Sequence, residues 1–356
     1  MSPTKGVGGP ATPSYHRLTV KAVREETVDA KSFVLAPEAG EAQLFRYQPG
    51  QFLTFRISHD SGTIIRSYSL SSAPGVDPDM TVCVKRITDG LGSNWFNDHL
   101  TAGARIDAMQ PSGRFVMRDS DAPLLLIAGG SGITPCLSLI KQALIDTGRN
   151  VKLIYINQNA ASIIYLEALD QLDARFSDRF TCQHWLDDVG GLIMAPDITA
   201  AANGWESADS YICGPDPLMD MAEETLGDLF GAEAVILTER FVSPSEPEHV
   251  QAEPDISTTS ETAWIESFKL TLDGKDHVIP MTAGETLLQA ALAAGIDAPN
   301  SCTEGHCGTC MARLRQGEVS MTSTRALSKR NIQRGYVLAC QACPSSPTSL
   351  WLDFDL

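Results

Sequence analysis

Between residues 124 and 242 the apolar positions gather into five short runs, at 124–128, 151–156, 180–184, 211–213 and 234–238, with helical spacing in the intervals. Buried runs alternating with helices predict a parallel, doubly wound α/β sheet covered on both faces. The preceding stretch, 16–118, holds short runs of strand-forming residues broken by Gly and Pro. That pattern predicts a closed β-barrel or a sandwich, and the antiparallel barrel is the expected form. Further on, residues 268–272 and 277–280 alternate around Asp273-Gly274, a hairpin signal. Thr282 and Glu285 fit a capping box opening an apolar helix over 286–294, with Gly295 as its stop. Strands are expected at 311–315 and 349–354, so this last module is α+β. The chain reads as multidomain: a barrel over 15–118, an α/β domain over 119–242 and a C-terminal domain over 265–356. A flexible tail, 1–14, and a linker, 243–264, rich in acids and with little apolar periodicity, complete the division.

Composition narrows the function classes. A length of 356 residues suits two or three cores. Hydrophobic residues at 43% and a mean hydropathy of −0.07 indicate a globular protein, and no apolar run reaches the length of a membrane span. The first residues lack the apolar core of a targeting peptide and read as a flexible tail, while reduced thiols and the cysteine loop at 302–310 favour the cytoplasm. A net charge of −17 without a basic patch argues against nucleic acid and suggests docking on a basic partner face.

Four cysteines carry the sharpest chemistry. Cys302, Cys307, Cys310 and Cys340 follow the spacing C-x4-C-x2-C and then, after 29 residues, C. This is the ligand spacing of a plant-type [2Fe-2S] cluster, a one-electron carrier. Gly305 and Gly308 permit the positive φ that aims loop amides at cluster sulfurs. A zinc site from Cys307, Cys310, Cys340 and Cys343 is the alternative, but it leaves Cys302 and both glycines without a role. An odd count of nine cysteines disfavours a disulfide framework. His306 reads as an exposed loop residue.

Upstream, Gly129-Gly130-Ser131-Gly132-Ile133-Thr134-Pro135 leads from the run at 124–128 into a helix over 136–144. Glycines there let a pyrophosphate reach free N–H groups at the helix start, though a plain tight turn would use them too. Arg66-Ser67-Tyr68-Ser69 offers a guanidinium for phosphate, a flat ring and hydroxyls. Val84-Lys85-Arg86 and the turn Gly90-Leu91-Gly92-Ser93-Asn94-Trp95 accompany it. Cys213-Gly214-Pro215 stands at the carboxyl end of a parallel strand, where ligands bind, although a lone Cys is more often a buried apolar group.

Jointly, Pro49-Gly50-Gln51-Phe52, Arg66-Ser67-Tyr68-Ser69, Gly130 to Pro135, Cys213-Gly214-Pro215 and the four cysteines resemble the ferredoxin–NADP reductase superfamily with an appended β-grasp ferredoxin. Lys85-Arg86, Gly92-Ser93-Asn94-Trp95 and His184-Trp185-Leu186-Asp187 look like the reductase components of 3-ketosteroid 9α-hydroxylases, with phenylacetyl-CoA epoxidase reductases as the near competitor. The resemblance implies FAD, with FMN left open, held by Arg66, Ser67, Tyr68, Ser69, Val84, Lys85, Gly92 and Ser93. It implies nicotinamide nucleotide over Gly130, Ser131, Gly132, Thr134, Pro135, Cys213, Gly214 and Pro215, with Ser69 and Cys213 at the reacting atoms. Cys302, Cys307, Cys310 and Cys340 would ligate the cluster. Asn157-Gln158-Asn159 offers no Arg or Lys for a 2′-phosphate, so NADH is expected over NADPH. The implied acceptor is a terminal oxygenase or another one-electron protein, met transiently by a monomer. The readings from other classes are a zinc-bearing binding protein and a flavoprotein that hydroxylates substrate directly.

Overall fold

The computed structural model describes residues 14–60, 62–241 and 265–355. The described residues form two compact units, one ending with the α/β domain and one built from the C-terminal module. The expected linker and all of the tail before Ser14 lie outside the described residues.

The first part of the larger unit is built from β1 (His16–Thr27), β2 (Ala30–Pro37), β3 (Phe52–His59), β4 (Gly62–Ser69), β5 (Met80–Lys85), helix α1 (Leu91–His99) and β6 (Arg105–Ala108). The strands pair antiparallel in the order β4-β3-β6-β1-β2-β5, and a Leu70–Val82 bridge joins the two ends into a barrel. Alternating side chains such as Leu18, Val20, Leu53 and Phe55 fill its interior, and Phe96 of α1 plugs it. The strands are not uniformly short: β1 runs 12 residues, kept curved by register shifts after Val20 and Glu25.

The same unit continues with β7 (Leu124–Gly129), α2 (Ile133–Asp146), β8 (Val151–Asn157), α3 (Leu166–Arg175), β9 (Phe180–Leu186), α4 (Asp187–Gly190), α5 (Ala195–Ala202), β10 (Asp209–Gly214), α6 (Asp216–Phe230) and β11 (Ile236–Arg240). All neighbours are parallel, in the order β11-β10-β7-β8-β9. Leu124, Leu126 and Ala128 face one apolar layer, while Leu125 and Ile127 face the other. Two buried faces are why the run in the sequence is continuous rather than alternating. Helix α2 begins at Ile133, three residues before the expected start, so Pro135 sits in its first turn, where no N–H is needed. Strand β11 begins two residues late because a turn at Gly231 to Ala234 precedes it, and pairing from Ser210–Ile236 to Gly214–Arg240 carries it further.

The second unit contains β12 (Ser267–Leu272), β13 (Lys275–Pro280), α7 (Leu287–Ala293), β14 (Met311–Gln316), β15 (Val319–Met321), α8 (Lys329–Gln333), β16 (Tyr336–Leu338), β17 (Ala342–Pro344) and β18 (Trp351–Asp353). Its sheet runs β13-β12-β18-β14-β16, with α7 packed into the same core. Asp273 and Gly274 both take positive φ, as the expected two-residue hairpin requires. The capping box lies elsewhere than expected. Glu285 does bond the Thr282 amide, but Gly284 at φ +87° breaks the helical path, so Thr286 and Gln289 form the box that opens α7. The last strand shortens to three residues, those that pair with both β12 and β14.

Candidate functional site

In the larger unit, the barrel and the parallel sheet meet along a seam where most of the sequence-expected residues gather. Tyr68 on β4 lies 4.9 Å from Phe96 of α1, ring to ring, and burial pushes its phenol up. A Cβ at Gly92 would stand 2.6 Å from Arg66 Cγ and 3.3 Å from the Tyr68 hydroxyl. Glycine lets the start of α1 approach the stem of Arg66 and the Tyr68 hydroxyl, while the Arg66 guanidinium donates to the Ile65 carbonyl at 2.7 Å. Ser93 turns inward instead, bonding the Ile87 amide and the Gly90 carbonyl, and Ser67 pairs with Thr54 at 2.9 Å. Lys85 reaches Asp29 at 3.6 Å and Arg86 reaches Asp98 at 2.5 Å. Val84 is fully buried in the barrel core.

Across the seam, the glycine loop follows β7. Gly130 takes φ +52°, and no side chain caps the start of α2. A Cβ at Gly132 would overlap the Cys213 carbonyl and lie 2.8 Å from the Gly214 nitrogen. One at Gly129 would meet Pro215 Cδ at 2.7 Å. The two βα turns thus nest backbone against backbone, and the cradle is closed to any larger residue. Thr134 donates to the Ser131 carbonyl at 3.0 Å, bracing the turn.

Ser69, at the end of β4, donates to Glu239 Oε2 at 2.7 Å. Glu239 pairs in register with Cys213, so Ser69, Glu239 and Cys213 share one corner. Burial pushes the Glu239 carboxyl up to about 8, against the opposing bond from Ser69. Burial, then the Glu239 charge, pushes the Cys213 thiol up, so it is a neutral S–H. Sequence reasoning missed Glu239. Its only signal is an acid at the tip of an apolar strand.

A second missed group fixes the loop to the barrel. The Tyr155 hydroxyl donates to the Gly130 carbonyl at 3.0 Å and accepts from the Ile164 amide at 3.3 Å. The next residue, Tyr165, has φ +63° and buries its hydroxyl between Ser32 and Ser71 of the barrel, 2.7 Å from each. A bulky residue at positive φ is strained by about 1–3 kcal/mol and persists only where its surroundings hold it. Ser138 and Lys141 of α2 add bonds to the Ser72 carbonyl at 2.6 Å and to Asp77 at 2.9 Å.

In the C-terminal unit the loop after α7 winds around its own sulfurs. The amides of Glu304 and His306 donate to Cys302 Sγ at 3.4 and 3.3 Å, and that of Cys302 points at Cys307 Sγ at 3.5 Å. Gly305 and Gly308 have φ +78° and +67°, and Thr303, at +57°, joins them. The thiols fall into two pairs. Cys302 is pulled down by its bond with Cys307 and then by the loop amides. Cys340 is pulled down by Cys310 and then by Gln341, whose amide lies 3.4 Å from its sulfur. Two sulfur pairs suit a binuclear cluster. Burial pushes up the thiol of Cys343, on β17 opposite Ser320.

Comparison with known proteins agrees with this division. The FAD-binding family of oxidoreductases matches residues 17–117, the oxidoreductase NAD-binding family 126–224 and the 2Fe-2S iron-sulfur cluster binding family 270–345. The ferredoxin reductase component of 3-ketosteroid-9-alpha-monooxygenase from Mycolicibacterium smegmatis is 42% identical, across 92% of this chain and 94% of that one. A component of the 1,2-phenylacetyl-CoA epoxidase of Escherichia coli is 31% identical, across 96% and 98%. Phthalate dioxygenase reductase shares the fold, with a TM-score of 0.59 at 24% identity over 96% of this chain and 98% of that chain. No helix among the described residues is long and apolar enough to cross a membrane. The chain belongs to the family of oxygenase reductase components that carry FAD-binding, NAD-binding and [2Fe-2S] domains on one polypeptide.

Proposed function

We propose that this protein oxidises NADH and delivers the electrons singly to an oxygenase that hydroxylates a steroid-like substrate. The seam carries the reading: a glycine cradle, a part-buried Ser69–Glu239 bond and Cys213 meet at one corner of a closed barrel. FAD bound there would take two electrons from a nicotinamide and release them one at a time, a conversion that a single [2Fe-2S] cluster cannot make. Arg66 and the amides of α1 would hold the flavin pyrophosphate, and Tyr68 would lie along the flavin. The turn from Gly130 to Pro135 would hold the nicotinamide nucleotide. Ser69 and Glu239 would keep a hydrogen-bonded proton at the reacting corner, and Cys213 would press the nicotinamide from behind as an uncharged thiol.

Cys302, Cys307, Cys310 and Cys340 would ligate the cluster, with loop amides stabilising its negative charge. The absence of Arg and Lys at 157–159 supports NADH. The higher identity to the steroid oxygenase reductases than to the epoxidase component supports a steroid-type partner. We further infer a monomer that works in the cytoplasm and meets its partner transiently. Anaerobic titration tests the core of this reading: NADH should bleach both flavin and cluster bands, with NADPH giving a lower kcat/KM. A protein lacking those bands after reconstitution with FAD, iron and sulfide would refute it.

A further inference from the structure

The chain is acidic, yet its C-terminal unit is not uniformly so. Residues 15–241 hold 18 Lys and Arg against 30 Asp and Glu, whereas residues 313–334 hold six cationic residues against Glu318 alone. Arg315 bonds Asp353 at 2.8 Å at the far end of β14. Arg325, Lys329, Arg330 and Arg334 follow in one stretch that runs past the cluster loop. A Cβ at Gly305 would lie 3.3 Å from Ser323, and one at Gly308 would lie 3.7 Å from Ala326. Ser328 caps α8, and Asn331 reaches Met311, the residue after Cys310, at 3.7 Å. The chain then turns through Gly335 into β16, and Ala339 bonds the Cys310 carbonyl at 3.1 Å. The basic helix is therefore stitched beside the Cys310–Cys340 sulfur pair. Lys329 and Arg334 are exposed, and between them Ile332 shows 45% of its surface to solvent. The acid on the loop itself is Glu304, which faces His306 at 3.8 Å.

We propose that this basic rim around an exposed isoleucine is the docking surface for the electron acceptor, and that the acceptor, an oxygenase protein, presents an acidic face there. The proposal rests on the reading of the four cysteines as cluster ligands. Charges near the docking point steer encounter, because those beyond a Debye length of about 8 Å are screened. An overall charge of −17 predicts repulsion from an acidic acceptor, whereas the rim predicts attraction, so the sign of the salt effect separates them. The proposal departs, at this surface alone, from the basic partner face that the net charge suggests.

The test uses the full-length protein reduced with NADH and mixed in stopped flow with acidic ferricytochrome b5 or basic ferricytochrome c as probes. Cytochrome b5 reduction should slow by about tenfold as NaCl rises from about 20 to about 500 mM. The K329E/R334E variant, at the two exposed cations, should lose most of the low-salt rate with cytochrome b5 and gain rate with cytochrome c, with NADH bleaching of the flavin and the cluster bands unchanged. Reduction of cytochrome b5 that speeds up with salt, or a variant as fast as the parent, would overturn the docking surface while leaving the electron-transfer reading intact. A protein that NADH fails to bleach would overturn that reading, and the docking surface with it.

Discussion

Replacing Gly132 with alanine tests how the two βα turns make a nucleotide site. The new Cβ would overlap the Cys213 carbonyl and lie 2.8 Å from the Gly214 nitrogen, both backbone groups that cannot rotate away. Comfortable contact lies near ~3.5 Å, and the overlap with the carbonyl is the tighter of the two, so the turns must part by roughly 1 Å or more. Overpacking of this kind costs about 1–3 kcal/mol, small enough for the unit to remain folded. The consequence for binding is larger, because the glycine loop and Cys213 would hold the nucleotide from two sides. A misplacement near 1 Å can cost about 100-fold in rate, so kcat/KM for NADH should fall by roughly 10- to 100-fold. The assay is anaerobic stopped-flow bleaching of the flavin at varied NADH, with flavin content and cluster absorbance as controls. Both controls should match the parent, since Gly132 lies on the far side of the seam from Gly92 and outside the C-terminal unit. A kcat/KM within twofold of the parent would refute the nested-turn account.

Three further outcomes are expected. Cys307→Ser should abolish the cluster absorbance while NADH still bleaches the flavin, and Cys343→Ser should keep the cluster; loss of the cluster in the second variant would show the fourth ligand to be misassigned. Glu239 is raised from 4.5 to about 8, so between those values the folded protein holds a proton that the unfolded chain has released, and this group's contribution to stability falls as pH rises through that window. In Glu239→Gln that part of the decline in Tm between pH 5 and 8 should vanish, and an unaltered Tm–pH curve would contradict the burial of the acid. Tyr165→Phe removes the bridge between Ser32 and Ser71, two bonds worth about 1 kcal/mol each, and should lower the Tm of the larger unit by roughly 4–8 °C; a calorimetric Tm equal to the parent's would discount the peg.

Local chemistry was legible in the sequence because it is local. The cysteine spacing of the loop, a hairpin turn at Asp273-Gly274 and a glycine turn after an apolar run each depend on residues within a few positions of one another. Domain order and strand type followed from the change in pattern, since a sheet covered on both faces needs continuous apolar runs, while the first domain shows short strand-forming runs broken by Gly and Pro. Boundaries were less legible. The cap at Thr282 failed because Gly284 takes a positive φ that propensity does not foresee, and β11 moved because its pairing partner decides where it begins and ends.

Only the tertiary structure decided which distant residues share a corner. Ser69 and Glu239 are 170 positions apart, and Ser32 and Tyr165 are 133 apart. No periodicity links them, because packing of the barrel against the sheet brings them together and burial then sets their protonation. The division of four thiols into two pairs, and the placing of a basic helix beside one pair, likewise follow from how the strands return around the cysteine loop. The sequence by itself determined the kinds of groups present; folding at long range determined their partners, because contact geometry is a property of the packed chain rather than of any segment.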